Sequence, residues 1–468
     1  MQRAAFLADP YPSIEQRRGH LLAVAGMVTG HREQIRAALV ADFAVAPELF
    51  TDLAEVLGVA GRAAHAAEQL SIWTAEDERP TEPAVYGTTR AGVRFQPKGV
   101  VGNIVPWNFP FDLSLGPLVE MLAAGNRVIM KPSDHTPACA ALLAEMVGKT
   151  FGEDRVAVSV GGLVLAKEFP TLRWDHLLYT GSPAIGREVA VAAAQNLVPV
   201  TLELGGKSPA ILTSGHVTAE NVRTTVGTKL IRNGQMCTSV DYALVPRAEL
   251  DTFVEHARSF VDGELPGYAS SEDCTGIITQ RHLERIAAMV AEAEASGATV
   301  VPLGGEGNRE RRQLPLTLVV DPPDDLRIMQ EEIFGPILAV VPFDDLDDAL
   351  AHINAGERPL SVYVFADDAT ADRVLTMTTS GGACVNVCAA QGALPSLGFG
   401  GIGQSGSGRH HGLDGFREFS NPRGVVVRGT GDVIDSFFPP YGALAQAVVD
   451  SALAGPSAAE DVTARGSV

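Results

Sequence analysis

Gly99-Val100-Val101-Gly102-Asn103-Ile104-Val105-Pro106-Trp107-Asn108-Phe109-Pro110 reads as a buried apolar strand that runs into a tight, proline-framed turn. Val128-Ile129-Met130-Lys131-Pro132-Ser133-Asp134 repeats the pattern, a strand that ends in a charged loop. From Val93 onward, short apolar runs alternate with amphipathic helical stretches. The strand-like runs include 156–160, 176–179, 198–202, 210–212, 338–341 and 362–365; the helical ones include 138–147, 184–194 and 282–294. Such alternation predicts an α/β chain with open, mainly parallel sheets and helices on both faces. Ahead of it, Leu21, Leu22, Val24, Ala25 and Val28 recur at helical spacing, as do Ile35, Leu39, Val40 and Phe43, so residues 13–70 read as helices. The length suits two sheets, with the chain crossing from one to the other between Glu203 and Cys237. Extended segments at 85–97, around a Gly-Thr-Thr turn, and at 423–428 look like strands that leave the main sheets; bare sequence makes them surface hairpins.

Composition narrows the function. With 468 residues, 46% hydrophobic and 20% charged, the chain has ample material for a core. A net charge of -20 excludes nucleic acid as the expected partner, because a phosphate backbone needs a basic footprint. Any anionic ligand must be held by local groups. No apolar run suits a signal peptide or a membrane span, so a cytoplasmic protein without a membrane partner is expected. The alanine-rich run 443–455 lacks Lys and Arg and is a poor interfacial helix. Five cysteines (139, 237, 274, 384 and 388) suggest reduced thiols. Cys384 and Cys388 have no matching His or Cys pair nearby, so no metal is expected.

Chemistry concentrates at two places. Cys237 sits in Asn233-Gly234-Gln235-Met236-Cys237, about thirty positions after Glu203-Leu204-Gly205-Gly206-Lys207. A thiol and a carboxylate in such small-residue settings suit covalent catalysis, with the thiolate attacking an electrophilic carbon and the carboxylate activating water. Alone, a cysteine is more often a small core residue. Tyr179-Thr180-Gly181-Ser182-Pro183-Ala184-Ile185-Gly186 leaves a strand and opens a helix, where free N–H groups can face phosphate oxygens. Its four-residue gap between glycines is not the usual dinucleotide fingerprint, and by itself it reads as a tight turn.

These segments, with Glu331-Glu332-Ile333-Phe334-Gly335-Pro336, resemble the NAD(P)-dependent aldehyde dehydrogenase superfamily over about residues 10–430. The resemblance implies a Rossmann-like cofactor domain (1–83 and 99–205), a catalytic domain (206–416), a small β oligomerisation arm (84–98 and 417–430) and a tail (431–468). It implies that Cys237 is the nucleophile, Glu203 the general base, and Asn108 a donor to the oxyanion. For the cofactor it implies Pro106, Trp107, Lys131, Ser133, Asp134, Gly181, Ser182, Gly186, Leu204, Gly205, Glu332 and Phe334. Without it, Asn108 would be a polar cap, Lys131 a solvated lysine and Glu203 an ordinary carboxylate. Relatives often carry Glu where Asp134 stands; a shorter carboxylate still leans towards NAD, with NADP possible. What lowers the Cys237 pKa is not readable from neighbouring residues.

Within the superfamily the chain looks most like the class 3 branch, which suggests a homodimer. The stretch 398–412 resembles that branch's C-terminal loop, and Phe437-Phe438-Pro439-Pro440-Tyr441-Gly442 is similar to bacterial coniferyl-aldehyde dehydrogenases. The small, irregular stretch 388–396 is expected to widen the substrate tunnel. Phe111, Leu113, Met236, Thr238 and Phe399 are candidate lining residues for an aromatic or medium-chain aldehyde, and most would serve equally as core. Two other functions stay open at this point: a CoA-acylating aldehyde dehydrogenase, and a non-catalytic NAD(P)-binding scaffold. Glu203 speaks against the first, since acylating relatives generally lack that carboxylate.

Overall fold

The computed structural model describes residues 1–454; the end of the tail, 455–468, lies outside the described residues. In chain order the strands are β1 (Asp77–Arg79), β2 (Arg90–Pro97), β3 (Val100–Ile104), β4 (Arg127–Lys131) and β5 (Val156–Val158). Next come β6 (His176–Gly181), β7 (Val200–Leu204), β8 (Pro209–Leu212), β9 (Tyr242–Pro246) and β10 (Thr299–Leu303). The remainder are β11 (Leu316–Val320), β12 (Ile337–Phe343), β13 (Ser361–Phe365), β14 (Gly382–Val385), β15 (Gly406–Ser407) and β16 (Ser420–Val427).

Two compact units result, residues 1–73 with 97–420, and residues 74–96 with the described chain from 421 onward. The first holds a six-stranded sheet, ordered β15-β7-β6-β3-β4-β5, and a seven-stranded sheet, ordered β10-β11-β12-β9-β8-β13-β14. Both are parallel apart from β15 against β7 and β10 against β11. Continuous apolar runs make such buried strands: every residue of β3, β8, β9 and β13 is buried. Apart from the extended segment at 85–97, each expected strand and helix named above is present within a few residues of its expected bounds. The four residues 205–208 carry the chain from β7 in the first sheet to β8 in the second.

The first sheet puts a crevice above the carboxyl ends of its two central strands, β3 and β6. From β3 the chain steps outward through β4 to β5, then returns to the other side of β3 as β6. Open α/β sheets bind ligands outside the carboxyl ends of the strands at such a reversal. Here those ends are 105–108, after β3, and 181–182, after β6.

In the second unit β1, β2 and β16 form a three-stranded sheet. The expected extended segment at Val85 is instead a helical turn, Pro83–Tyr86, and β2 starts only at Arg90. Proline presets the backbone angle for a first helical position, which the reading of a hairpin overlooked. The tail contains a helix, Ala443–Leu453, with most of its side chains exposed.

Candidate active site

A pocket of about 250 Å³ opens at that crevice. The first sheet contributes Pro106, Trp107 and Asn108 after β3, Thr180, Gly181 and Ser182 around the end of β6, and Glu203, Leu204 and Gly205 from β7. From the approaches to β9 and β12 of the second sheet come Cys237, Glu332 and Phe334. Leu113, His282 and Arg285 complete the wall. Residues far apart in the chain thus meet between the carboxyl ends of one sheet and the amino ends of the other.

Cys237 ends a sharp loop whose Arg232, Asn233 and Gly234 are all left-handed. At Gly234 a Cβ would lie 2.2 Å from the Gly335 carbonyl oxygen, so no other residue fits. Burial, followed by the charges of Glu332 and Glu203, pushes the Cys237 thiol up to about 12; its own N–H and that of Thr238 oppose the shift. At rest the group is therefore a thiol. The buried Asn108 amide donates through Nδ2 to the Gln235 carbonyl at 3.2 Å, which brings it to the loop that carries Cys237. Glu203, 2% exposed, has neither carboxylate oxygen hydrogen-bonded. Burial raises its pKa well above the usual value, with Arg409 opposing and Glu418 reinforcing. A carboxyl in this condition can take a proton near neutral pH.

Glu332 stands over Gly205, where a Cβ would come within 2.0 Å of its Oε2. Burial and then Asp241 push this carboxyl up to about 8, against the pull of the Gly206 N–H and two lysines. Phe334 meets Trp107 edge to face at 5.3 Å. Thr180 brings a buried hydroxyl with no hydrogen-bond partner, and Ser182 precedes the helix Pro183–Ala194. Bare backbone, an orphaned hydroxyl, a carboxylate and two aromatic faces fit a dinucleotide's nicotinamide end.

Other expected residues lie elsewhere. Lys131 is buried at the end of β4 rather than solvated, with Nζ donating to the Pro132 carbonyl at 3.0 Å. Ser133 accepts from the His135 N–H, and Asp134 is exposed beside it; none of the three lines this pocket. Gly186 is a packing glycine, since a Cβ would strike Leu204 at 2.7 Å. Of the five expected substrate contacts only Leu113 lines the pocket. Phe111 is fully buried in the core, and Thr238 is held through its carbonyl by the Tyr363 hydroxyl at 2.6 Å. Met236 is half-buried next to the thiol, and Phe399 packs between His410 and His411.

Sequence reasoning missed Thr180, His282 and Arg285. Thr180 directly precedes the quoted glycine turn and was within reach. His282 and Arg285 sit on the helix Gln280–Ser296, where only a tertiary contact distinguishes them from surface residues. Gly400 was also overlooked; a Cβ there would stand 2.9 Å from Glu203 Oε1.

Residues 3–425 match the model of the aldehyde dehydrogenase family. A probable coniferyl aldehyde dehydrogenase from Caulobacter vibrioides is 42% identical over 450 residues, covering 94% of this chain and 93% of that one. Among solved structures, a substrate-bound AldH from Staphylococcus aureus superposes with a TM-score of 0.90 at 29% identity, over 97% of this chain and 98% of that one. A Mycobacterium tuberculosis aldehyde dehydrogenase complexed with NAD+ gives a TM-score of 0.81 at 30% identity, over 91% and 88% of the two chains.

Proposed function

The chain belongs to the aldehyde dehydrogenase family, and from that premise we propose that it oxidises an aromatic aldehyde of the coniferyl type, or a medium-chain one, through Cys237 and Glu203. It is an NAD(P)-dependent enzyme that converts an aldehyde to its carboxylic acid. The observation that carries the assignment of residues is the meeting of Asn108, Glu203 and Cys237 in one pocket.

In this reading the Cys237 sulfur gives up its proton to solvent and attacks the aldehyde carbon, whose carbonyl electron pair moves to oxygen, forming a tetrahedral thiohemiacetal oxyanion. The incipient thiolate is stabilised by the two N–H groups that already oppose the rise of its pKa. Asn108 leaves the Gln235 carbonyl and donates to the oxyanion; one such donor is worth about a hundredfold or more in rate. Trp107, Gly181, Ser182, Gly205, Glu332 and Phe334 would hold the nicotinamide end of the cofactor, and Lys131, Ser133 and Asp134 its adenosine ribose. When bound, the cofactor supplies the hydride acceptor. Glu203 then takes a proton from water, and the hydroxide equivalent attacks the Cys237 thioester and releases the acid. Trp107, Leu113 and Phe334 supply apolar surface for the aldehyde.

We read the first sheet as the cofactor domain and the second as the catalytic domain, with residues 205–208 between them. We also read the enzyme as a cytoplasmic homodimer. The free cysteines support the first point and the exposed Val426 and Val427 of the edge strand β16 the second. No helix among the described residues is long and apolar enough to cross a membrane.

The test is reduced-nicotinamide formation with NAD and NADP on a panel of aromatic and aliphatic aldehydes, with Cys237→Ala alongside. Turnover abolished in the variant and greatest with a coniferyl-type aldehyde is expected. Strict dependence on added CoA would instead establish acyl transfer.

A further inference from the structure

An ion pair that the chemistry above leaves unused joins the two loops that carry it. Arg232, five positions before Cys237, is wholly buried, and its Nη2 donates to Glu55 Oε1 at 2.5 Å. Glu55 belongs to the helical segment Asp52–Leu57 and is equally buried. Its other oxygen, Oε2, accepts from the backbone N–H groups of Phe111 at 3.0 Å and Asp112 at 2.8 Å. Those amides follow Asn108 by three and four positions. The Arg232 guanidinium also stands 4.7 Å from the ring of Phe109, the residue next to Asn108.

On its other side Arg232 grips the nucleophile loop. Its carbonyl accepts from Gln235 Nε2 at 2.9 Å, and the Gln235 carbonyl in turn accepts from Asn108 Nδ2. A closed circuit therefore runs from Asn108 through Phe109, Phe111 and Asp112 to Glu55, on to Arg232 and Gln235, and back to Asn108. Arg232 and Asn233 hold φ of 50° and 53°, which non-glycine residues keep only where their surroundings fix them.

Stability does not explain the pair. A buried ion pair is commonly no better than apolar groups of the same shape, and here Nε and Nη1 of Arg232 find no hydrogen-bond partner. Positioning does explain it. We propose that Glu55 and Arg232 are positioning residues that fix the Asn108 amide against the Cys237 sulfur, without touching substrate themselves. This rests on the roles given to Asn108 and Cys237 above.

A double-mutant cycle tests it. Steady-state kinetics with the best aldehyde of the panel would compare Arg232→Met, Asn108→Ala and the double variant. Arg232→Lys and Glu55→Gln are run as conservative partners, and thermal melting and NAD binding verify each fold. Since a displacement near 1 Å costs about a hundredfold in rate, Arg232→Met should lower kcat about 10- to 100-fold with KM nearly unchanged. Arg232→Lys should restore part of the loss. In the Asn108→Ala background the same change should cost about twofold or less, because the group it positions is gone. Losses that multiply, with Asn108→Ala itself strongly impaired, would overturn the positioning role alone. Full activity in Asn108→Ala would overturn the underlying mechanism and the positioning role together. Should Arg232→Met fail to fold, the cycle is closed with Glu55→Gln and read in the same way.

Discussion

Replacing Gly205 by alanine gives a worked case of the cofactor seat. The added Cβ would stand 2.0 Å from Glu332 Oε2 and 2.5 Å from Oε1. Ordinary contact begins at 3.4 Å, so the carboxylate must retreat by about 1.4 Å. The obstacle is the far end of a flexible side chain rather than backbone, so β7 keeps its place. Retreat takes Glu332 away from the Gly206 N–H and out of reach of the ribose it is proposed to hold. The carboxyl is raised to about 8, so at pH 9 it is ionised in the parent protein. A hydrogen bond to a charged group is worth about 1.5–3 kcal/mol, and about 1.4 kcal/mol is tenfold. NAD should therefore bind about 10- to 100-fold more weakly to Gly205→Ala at pH 9. Quenching of tryptophan fluorescence reads this directly, since Trp107 lines the pocket. Parent-like NAD affinity in a variant with the parent melting temperature would refute the reasoning.

Glu203→Gln should release one equivalent of reduced nicotinamide per site and then stop, with an acyl group on Cys237 detectable by mass spectrometry. Sustained turnover would assign the base elsewhere. In the parent, the hydrolysis limb should climb with pH above the usual carboxylate range, because burial keeps Glu203 protonated there. Gly234→Ala should abolish activity and lower the melting temperature, since its Cβ meets a backbone oxygen at 2.2 Å and φ is +74°. The contribution of Glu120 to stability should fall as pH rises. Burial lifts Glu120 from 4.5 to about 7, so between those values the folded protein keeps a proton that the unfolded chain has released. That contribution is full below pH 4.5 and gone above about 7. The difference in unfolding free energy between the parent and Glu120→Gln should therefore shift against the parent by on the order of 3 kcal/mol between those pH values, as urea titrations across that range would measure.

Contiguity decided what the sequence revealed. Asn108, Glu203, Cys237, Glu332 and Phe334 each sit in a short run whose glycines and prolines mark a turn, and all five meet in the pocket. The sheets were legible for a related reason: β3, β8, β9 and β13 are apolar throughout, as strands buried on both faces must be. The substrate wall was not. Phe111 and Leu113 are two residues apart on one helix start, yet one is core and the other pocket. Residues two apart at a helix start do not face the same side, and which side meets the pocket is set by tertiary packing. Glu55 and Arg232 are 177 positions apart, and nothing local marks either as the other's partner.

Storage as a thiol gives Cys237, the proposed nucleophile, a chemical quietness that a cysteine held as thiolate lacks. Burial holds the thiol well above its ordinary range, so little thiolate is present at neutral pH. Peroxides and alkylating reagents consume thiolates, so the resting enzyme offers them almost nothing to react with. Durability under oxidative stress and reactivity towards aldehydes are thereby separated in time. The same burial that makes the proposed nucleophile hard to wake keeps it intact while it waits.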